Sequence, residues 1–171
     1  VMVNLPEITG NMALEKVNTV PGAMAENLRA HNYRVAVLGN GDVAKDRMRA
    51  AVAVGMDAAG RVFLGDVGPA ASRPSADSHL SLETNYPYLE QKVKEYARQA
   101  DVIIIDLSDL ARLETADMPT AARAEVLRQG RLQKIDRFVA NIVEQMDAQK
   151  DMLLLTSVSP SLKQTLLKDT F

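Results

Sequence analysis

Three short apolar runs constrain this chain more than any other feature: Arg34-Val-Ala-Val-Leu38, Val102-Ile-Ile-Ile105 and Met152-Leu-Leu-Leu155. Each is continuous rather than alternating, and each is bounded by polar residues or glycine. A strand that alternates apolar and polar residues has one wet face. A strand without alternation has both faces covered, which is the pattern of a parallel sheet with helices on either side. The expected fold class is therefore α/β: a layered α/β/α domain with a mostly parallel central sheet.

The intervening segments fit that layering. Residues 21–31 follow Thr19 and Pro21, a cap and first turn, and place Met24, Ala25 and Leu28 on one face. A second helix is expected from Asn85, with Pro87 in its first turn and an apolar stripe of Leu89, Val93, Tyr96 and Ala97. A third runs from Pro119 to Ala148 with the stripe Leu127, Ile135, Phe138, Val139, Ile142, Val143 and Met146. Gly130 within it marks an expected kink or break, and Ser161–Lys168 is expected to form a further short helix. Between the first two apolar runs, Arg49–Met56, Asp57–Gly60 and Arg61–Leu64 suggest a β-hairpin with Gly60 at a left-handed turn position. Residues 66–85, rich in Gly, Pro, Ser and Ala, are expected to be a long functional or mobile loop.

Composition narrows the function classes. The 171 residues suffice for one domain with its own core, and 47% hydrophobic with 25% charged residues is ordinary globular usage. A net charge of −2 offers no electrostatic footprint for nucleic acid, and 4% aromatics without tryptophan gives no base-stacking platform. The absence of cysteine removes disulfides, zinc–thiolate sites, iron–sulfur clusters and cysteine nucleophiles. No apolar run reaches the roughly 20 residues that span a bilayer, and no segment has the pattern of a signal peptide. The chain opens Val1-Met2, so it is expected to be a piece of a larger protein.

In an open parallel sheet, ligands bind beyond the C-terminal ends of the strands. The three runs end there in Gly39-Asn-Gly-Asp42, Asp106-Leu-Ser-Asp109 and Thr156-Ser-Val-Ser159. Asn40, Asp42, Asp106, Asp109 and Thr156 thus form a candidate ligand edge, whose carboxylates suit a hard cation such as magnesium or manganese. The plain alternative is that these aspartates cap helices and satisfy loop amides. Gly39-Asn-Gly-Asp-Val-Ala44 also matches the dinucleotide pattern G-x-G-x-x-G/A, with Asp57 as a ribose-binding acid. Against it, the hairpin leaves little room for a crossover helix, and Asp57 falls in its turn. His31 is expected at a helix C-terminus and His79 in solvent, with no metal-ligand spacing between them. Arg112, Arg123, Arg128 and Arg131 are expected on solvated surface, and Met146 and Met152 in the core.

Residues 19–39 resemble the sulfatase helix–strand unit L-x-x-x-G-Y-x-T-A-x-x-G, with Leu28, Tyr33, Ala36 and Gly39 matching and Asn32 in place of the first Gly. Asp101–Asp109 resembles the strand and loop ending in Asp-x-x-Gly-His of cofactor-independent phosphoglycerate mutases and phosphopentomutases. The helix with Arg131, Asp136 and Val139 resembles the A-x-x-x-x-D-x-x-(L/V)-G helix that follows, and Met152–Pro160 the strand leading to T-x-D-H-G. Together these resemble the alkaline phosphatase superfamily over about two-thirds of the chain. The resemblance implies an alkaline-phosphatase-like core, two metal ions (manganese, zinc or magnesium in intact relatives) and a Ser or Thr nucleophile acting on phosphate or sulfate esters.

The departures are informative. Of the Asp-x-x-Gly-His loop only Asp109 remains, with Arg112 and Leu113 at the Gly and His positions. Of T-x-D-H-G only Thr156 remains, with Val158 and Ser159 where ligands belong. A valine does not coordinate a cation, and a single carboxylate does not hold two. Asp109 is thus the one family metal position retained, and the family nucleophile would lie upstream of residue 1. The expected function is a binding or scaffold module without metal-dependent ester hydrolysis and without a cofactor. The alternatives are an active phosphohydrolase or phosphomutase with its nucleophile outside this chain, and a nucleotide binder at Gly39–Ala44. The family's membrane-attached bacterial members imply an extracytoplasmic, membrane-anchored parent, with a cytoplasmic one as the alternative.

Overall fold

The computed structural model describes Gly10 and residues 20–43 and 46–156. Helix α1 (Ala23–Ala30) leads into β1 (Val35–Leu38), followed by α2 (Ala50–Gly55) and β2 (Leu64–Asp66). A single 3-10 turn (Pro69–Ala71) precedes β3 (Ser72–Pro74) and β4 (Leu82–Thr84). Then come α3 (Tyr86–Tyr96), β5 (Val102–Ile105), α4 (Asp109–Thr115) and α5 (Ala121–Val143). Strands β2, β1 and β5 form a parallel sheet in that spatial order, with Ala36 opposite both Leu64 and Ile103; β3 and β4 form a separate antiparallel pair.

The unalternating runs do what a two-sided strand must. Along β1, Ala36 and Leu38 join a cluster with Tyr86, Leu89 and Tyr96 of α3 and Phe138 and Ile142 of α5. Val37 turns to the other face and packs with Ala51 and Val52 of α2 and with Val67. In β5, Ile103 and Ile105 pack on the first cluster and Ile104 on the second. The domain is therefore three-layered, with α2 on one face and α3 and α5 on the other. Gly55 at the end of α2 is pressed against Val37 and Ile104, leaving no space for a Cβ.

The expected helices at 21–31, 85 onward and 119–148 are all present within a few residues. Thr120 caps α5 by accepting from the Arg123 amide at 3.1 Å, and the helix continues through Gly130 without a break. The predicted hairpin is corrected. Ala50-Ala-Val-Ala-Val-Gly55 is helical because alanine favours a helix and the segment buries one side on the sheet. Ala58 and Ala59 form a turn, Gly60 takes the expected left-handed conformation (φ 72°), Arg61 makes only an isolated bridge, and the chain re-enters the sheet as β2, parallel to β1. The antiparallel pair lies instead inside the expected long loop, where Arg73 and Glu83 face each other.

Met152–Leu155 is a second correction. It forms no ladder and lies in solvent, Met152 at 87% and Leu154 at 77% exposure. An apolar run shows what a segment is able to bury, not that a partner strand lies beside it. Met152 is accordingly not core filler. The expected helix at Ser161–Lys168 and the positions Val158 and Ser159 lie outside the described residues.

Candidate functional site: the C-terminal edge of the sheet

The sheet brings Asn40, Asp42, Asp106 and Asp109 to one edge. It does not bring Thr156, which is exposed beyond the unpaired Met152–Leu155. Gly39 makes the edge compact. It has φ 84°, and a Cβ there would collide with the Asp106 carbonyl oxygen, so β1 and β5 end in backbone contact.

Asp109 opens α4 and is 1% exposed. Its Oδ1 accepts from the Thr84 amide at 2.8 Å, the Thr84 hydroxyl at 2.9 Å and Arg112 at 3.0 Å; its Oδ2 accepts from the Tyr86 hydroxyl at 2.9 Å. Arg131 stands 3.9 Å from Oδ2. Burial, together with the Asp109 charge, drives the Tyr86 hydroxyl far above the usual phenol range, so it donates and does not ionise.

Arg112, 3% exposed, is the hub. Besides Asp109 and Thr84, its guanidinium donates to the Asn40 carbonyl at 2.5 Å, the Asn40 side-chain oxygen at 3.1 Å and the Asp42 carbonyl at 2.9 Å. Asn40 completes the set by donating to the Val67 and Gly68 carbonyls at 3.2 and 2.8 Å. One arginine thus ties the ends of β1 and β5 to β4. Among the described residues, no buried side-chain nitrogen or oxygen lacks a partner.

A second cluster adjoins the first. Glu83, buried, accepts from Arg131, from Lys134 at 2.8 Å and from Arg73 at 2.8 Å. Burial alone would raise its pKa, but Lys134, Arg131 and Arg73 together lower it from 4.5 to about 2. This cluster fastens α5 to the β3–β4 pair.

Asp106 and Asp42 are less committed. Burial holds the Asp106 carboxyl above its ordinary range, although the Ser108 hydroxyl donates to it and Arg112 lies nearby. Asp42 accepts from the Met48 amide at 3.0 Å and pairs with Arg49 at 3.1 Å, which is the loop-fastening role of the plain alternative. At the end of β2, Asp66 accepts from the Tyr88 hydroxyl; burial and then Asp66 push that tyrosine up to about 12.

Sequence reasoning placed Arg112 and Arg131 on solvated surface, and both are buried. Two signals point to them. Asp109 and Arg112 stand three apart at a helix start, a pairing distance, and Arg131 continues the stripe of Ile135, Phe138 and Ile142. His31 does sit at the C-terminus of α1, its Nδ1 2.9 Å from the Asn27 carbonyl, and His79 is exposed, both as expected.

The position that the resemblance marks for a metal, Asp109, does not fit a cation. Both Asp109 oxygens are taken, with the Arg112 guanidinium 3.0 Å from Oδ1 and Arg131 3.9 Å from Oδ2, so a cation there would meet positive charge. Among the described residues, no group of three or more His, Cys, Asp or Glu is arranged to hold a metal ion. The dinucleotide pattern fares differently. With β2 parallel to β1 and α2 between, the crossover it requires is present, which removes one objection. Yet the amides of Gly39, Gly41, Asp42 and Val43 donate to Asp66, Met48, Asn40 and Asp46, so the groups that cradle a phosphate are used within the protein. Asp57 sits in the turn after α2, its carboxylate taken by the Ala59 and Arg61 amides at 2.9 Å each. Ala44 is outside the described residues.

No family model matches the chain, and neither a curated protein nor a solved structure matches it. No helix among the described residues is long and apolar enough to cross a membrane.

Proposed function

We propose that this chain is part of an alkaline-phosphatase-like α/β domain that serves as a binding or scaffold module, without metal-dependent ester hydrolysis. One observation carries the reading: the Arg112 guanidinium bonds Asp109 at 3.0 Å, both groups are almost fully buried, and the remaining carboxylate positions are taken by Thr84 and Tyr86. Arg112 stands at the Gly position of the family's ligand loop and supplies the positive charge internally. A buried carboxylate neutralised in this way holds structure together and has no open position for a metal or a substrate. Manganese, zinc and magnesium therefore have no resident role in this reading.

An active phosphohydrolase or phosphomutase with its nucleophile elsewhere would need Asp109 free to coordinate, and four donors compete with that. The test is hydrolysis of a generic aryl phosphate by the full-length protein with manganese or zinc supplied. Turnover at the background rate is expected. Metal-dependent turnover that Asp109→Asn abolishes would overturn the proposal.

A further inference from the structure

Where helix α5 meets the β3–β4 pair, the protein carries more positive charge than its own carboxylates meet. Glu83 is held by Arg73, Arg131 and Lys134, and Asp77 by Arg123. Arg137, nearly one turn beyond Lys134, is exposed and has no ion pair among the described residues. Five cations thus stand against two carboxylates, the Asp109 charge being met by Arg112. The whole chain has a net charge of −2, so this excess is local.

These cations remain reachable and lie in a line. Arg123, Arg73 and Lys134 keep 47, 46 and 42% of their side chains exposed despite their ion pairs. Exposed pairs contribute about 0–1 kcal/mol, so such groups exchange partners at little cost. On α5, Arg123, Gly130, Lys134 and Arg137 follow at intervals of seven, four and three residues, which sets them in one stripe. The acids Glu125 and Asp136 fall on the far side of the helix by the same geometry. From Arg123 to Arg137 the stripe runs about 21 Å at the helical rise. Gly130 interrupts it with a gap: among the described residues, nothing comes within 4 Å of where its Cβ would stand. Glycine inside a helix costs about 1 kcal/mol relative to alanine, and no internal packing calls for it here.

We propose that this stripe, with Arg73 beside it, docks an acidic segment of a protein partner. The partner's carboxylates meet Arg123, Lys134 and Arg137, and its backbone crosses the gap at Gly130. An extended segment of roughly six or seven residues has the matching length, whereas one small anion covers only an end of the line. The exposed aromatic residues Tyr33 and Phe63 lie beside α1 and β2, so the stripe has no stacking platform and suits a peptide over single-stranded nucleic acid. The inference rests on the binding-module reading and supplies its class of partner.

Fluorescence anisotropy with a dye-labelled octaglutamate peptide at low salt tests it, with octaglutamine and an oligodeoxythymidylate as comparison probes. The unmodified chain is expected to bind octaglutamate saturably and the other two far more weakly. The double variant Arg123→Gln/Arg137→Gln, at two exposed positions, is expected to weaken binding roughly tenfold. Arg47→Gln/Arg98→Gln removes the same charge from exposed positions elsewhere and is expected to leave binding unchanged. Gly130→Leu fills the gap and is expected to raise the melting temperature while weakening binding roughly threefold or more. No binding of octaglutamate would overturn the proposal. So would equal losses in the two arginine pairs, unchanged binding in Gly130→Leu, or an oligodeoxythymidylate held as tightly. Such a failure leaves the Arg112–Asp109 pairing untouched, which metal titration tests separately.

Discussion

Asp106 and Asp109 leave the same strand end three residues apart, and their surroundings could hardly differ more. Asp109 is ringed by the Thr84 amide and hydroxyl, the Tyr86 hydroxyl and the Arg112 guanidinium. Asp106 has the Ser108 hydroxyl and is penalised by burial. The difference teaches that a carboxylate's position at the sheet edge does not define its role. Asp109, at the position a family resemblance marks for metal, is the more fully spent on structure.

The largest expected effect breaks that contrast directly. Arg112→Ala removes the counter-charge of Asp109 and the partners of Asn40 together, and a loss of about 3–5 kcal/mol is expected from urea unfolding. Arg112→Lys recovers only part of this, because one ammonium does not reach Asp109, Thr84, Asn40 and Asp42 as a planar fork does.

Glu83 extends the comparison, since it too is buried among cations. Its folded pKa of about 2 lies below the ordinary 4.5, so its contribution is complete above 4.5 and is lost as pH falls towards 2. Unfolding followed between pH 5 and 2 is expected to show about 2–3 kcal/mol of acid destabilisation that Glu83→Gln largely removes. Asp106 has the opposite sign. Its carboxyl is raised, so ionisation above the ordinary carboxylate range works against the fold. Asp106→Asn keeps an acceptor for Ser108 and is expected to be neutral or stabilising by up to about 1 kcal/mol at pH 7, measured by thermal unfolding.

The same contrast explains what was legible in the sequence. Val35–Leu38 and Val102–Ile105 announced a parallel sheet because continuous β-branched runs suit strands covered on both faces. The stripes of α3 and α5 were equally plain. The charged core was not, because arginine in a sequence is ordinarily solvated, and Arg112 and Arg131 are buried only through partners distant in the chain, Asn40 and Glu83. The segment 50–64 misled for a related reason. A short alanine-rich apolar stretch fits strand or helix, and close packing of Gly55 on Val37 and Ile104 is a tertiary fact. Asn40, Asp42, Asp106 and Asp109 share one edge because strand ends converge by topology, and Thr156 does not join them because Met152–Leu155 has no ladder in this structure.

The central claim is that Arg112 already neutralises Asp109, leaving nothing for a cation to do. Calorimetric titration of manganese and zinc into the purified chain tests it most directly. The account predicts no saturable heat, and the same flat trace for Asp109→Asn. A tight, stoichiometric isotherm in the unmodified chain that Asp109→Asn abolishes would contradict it.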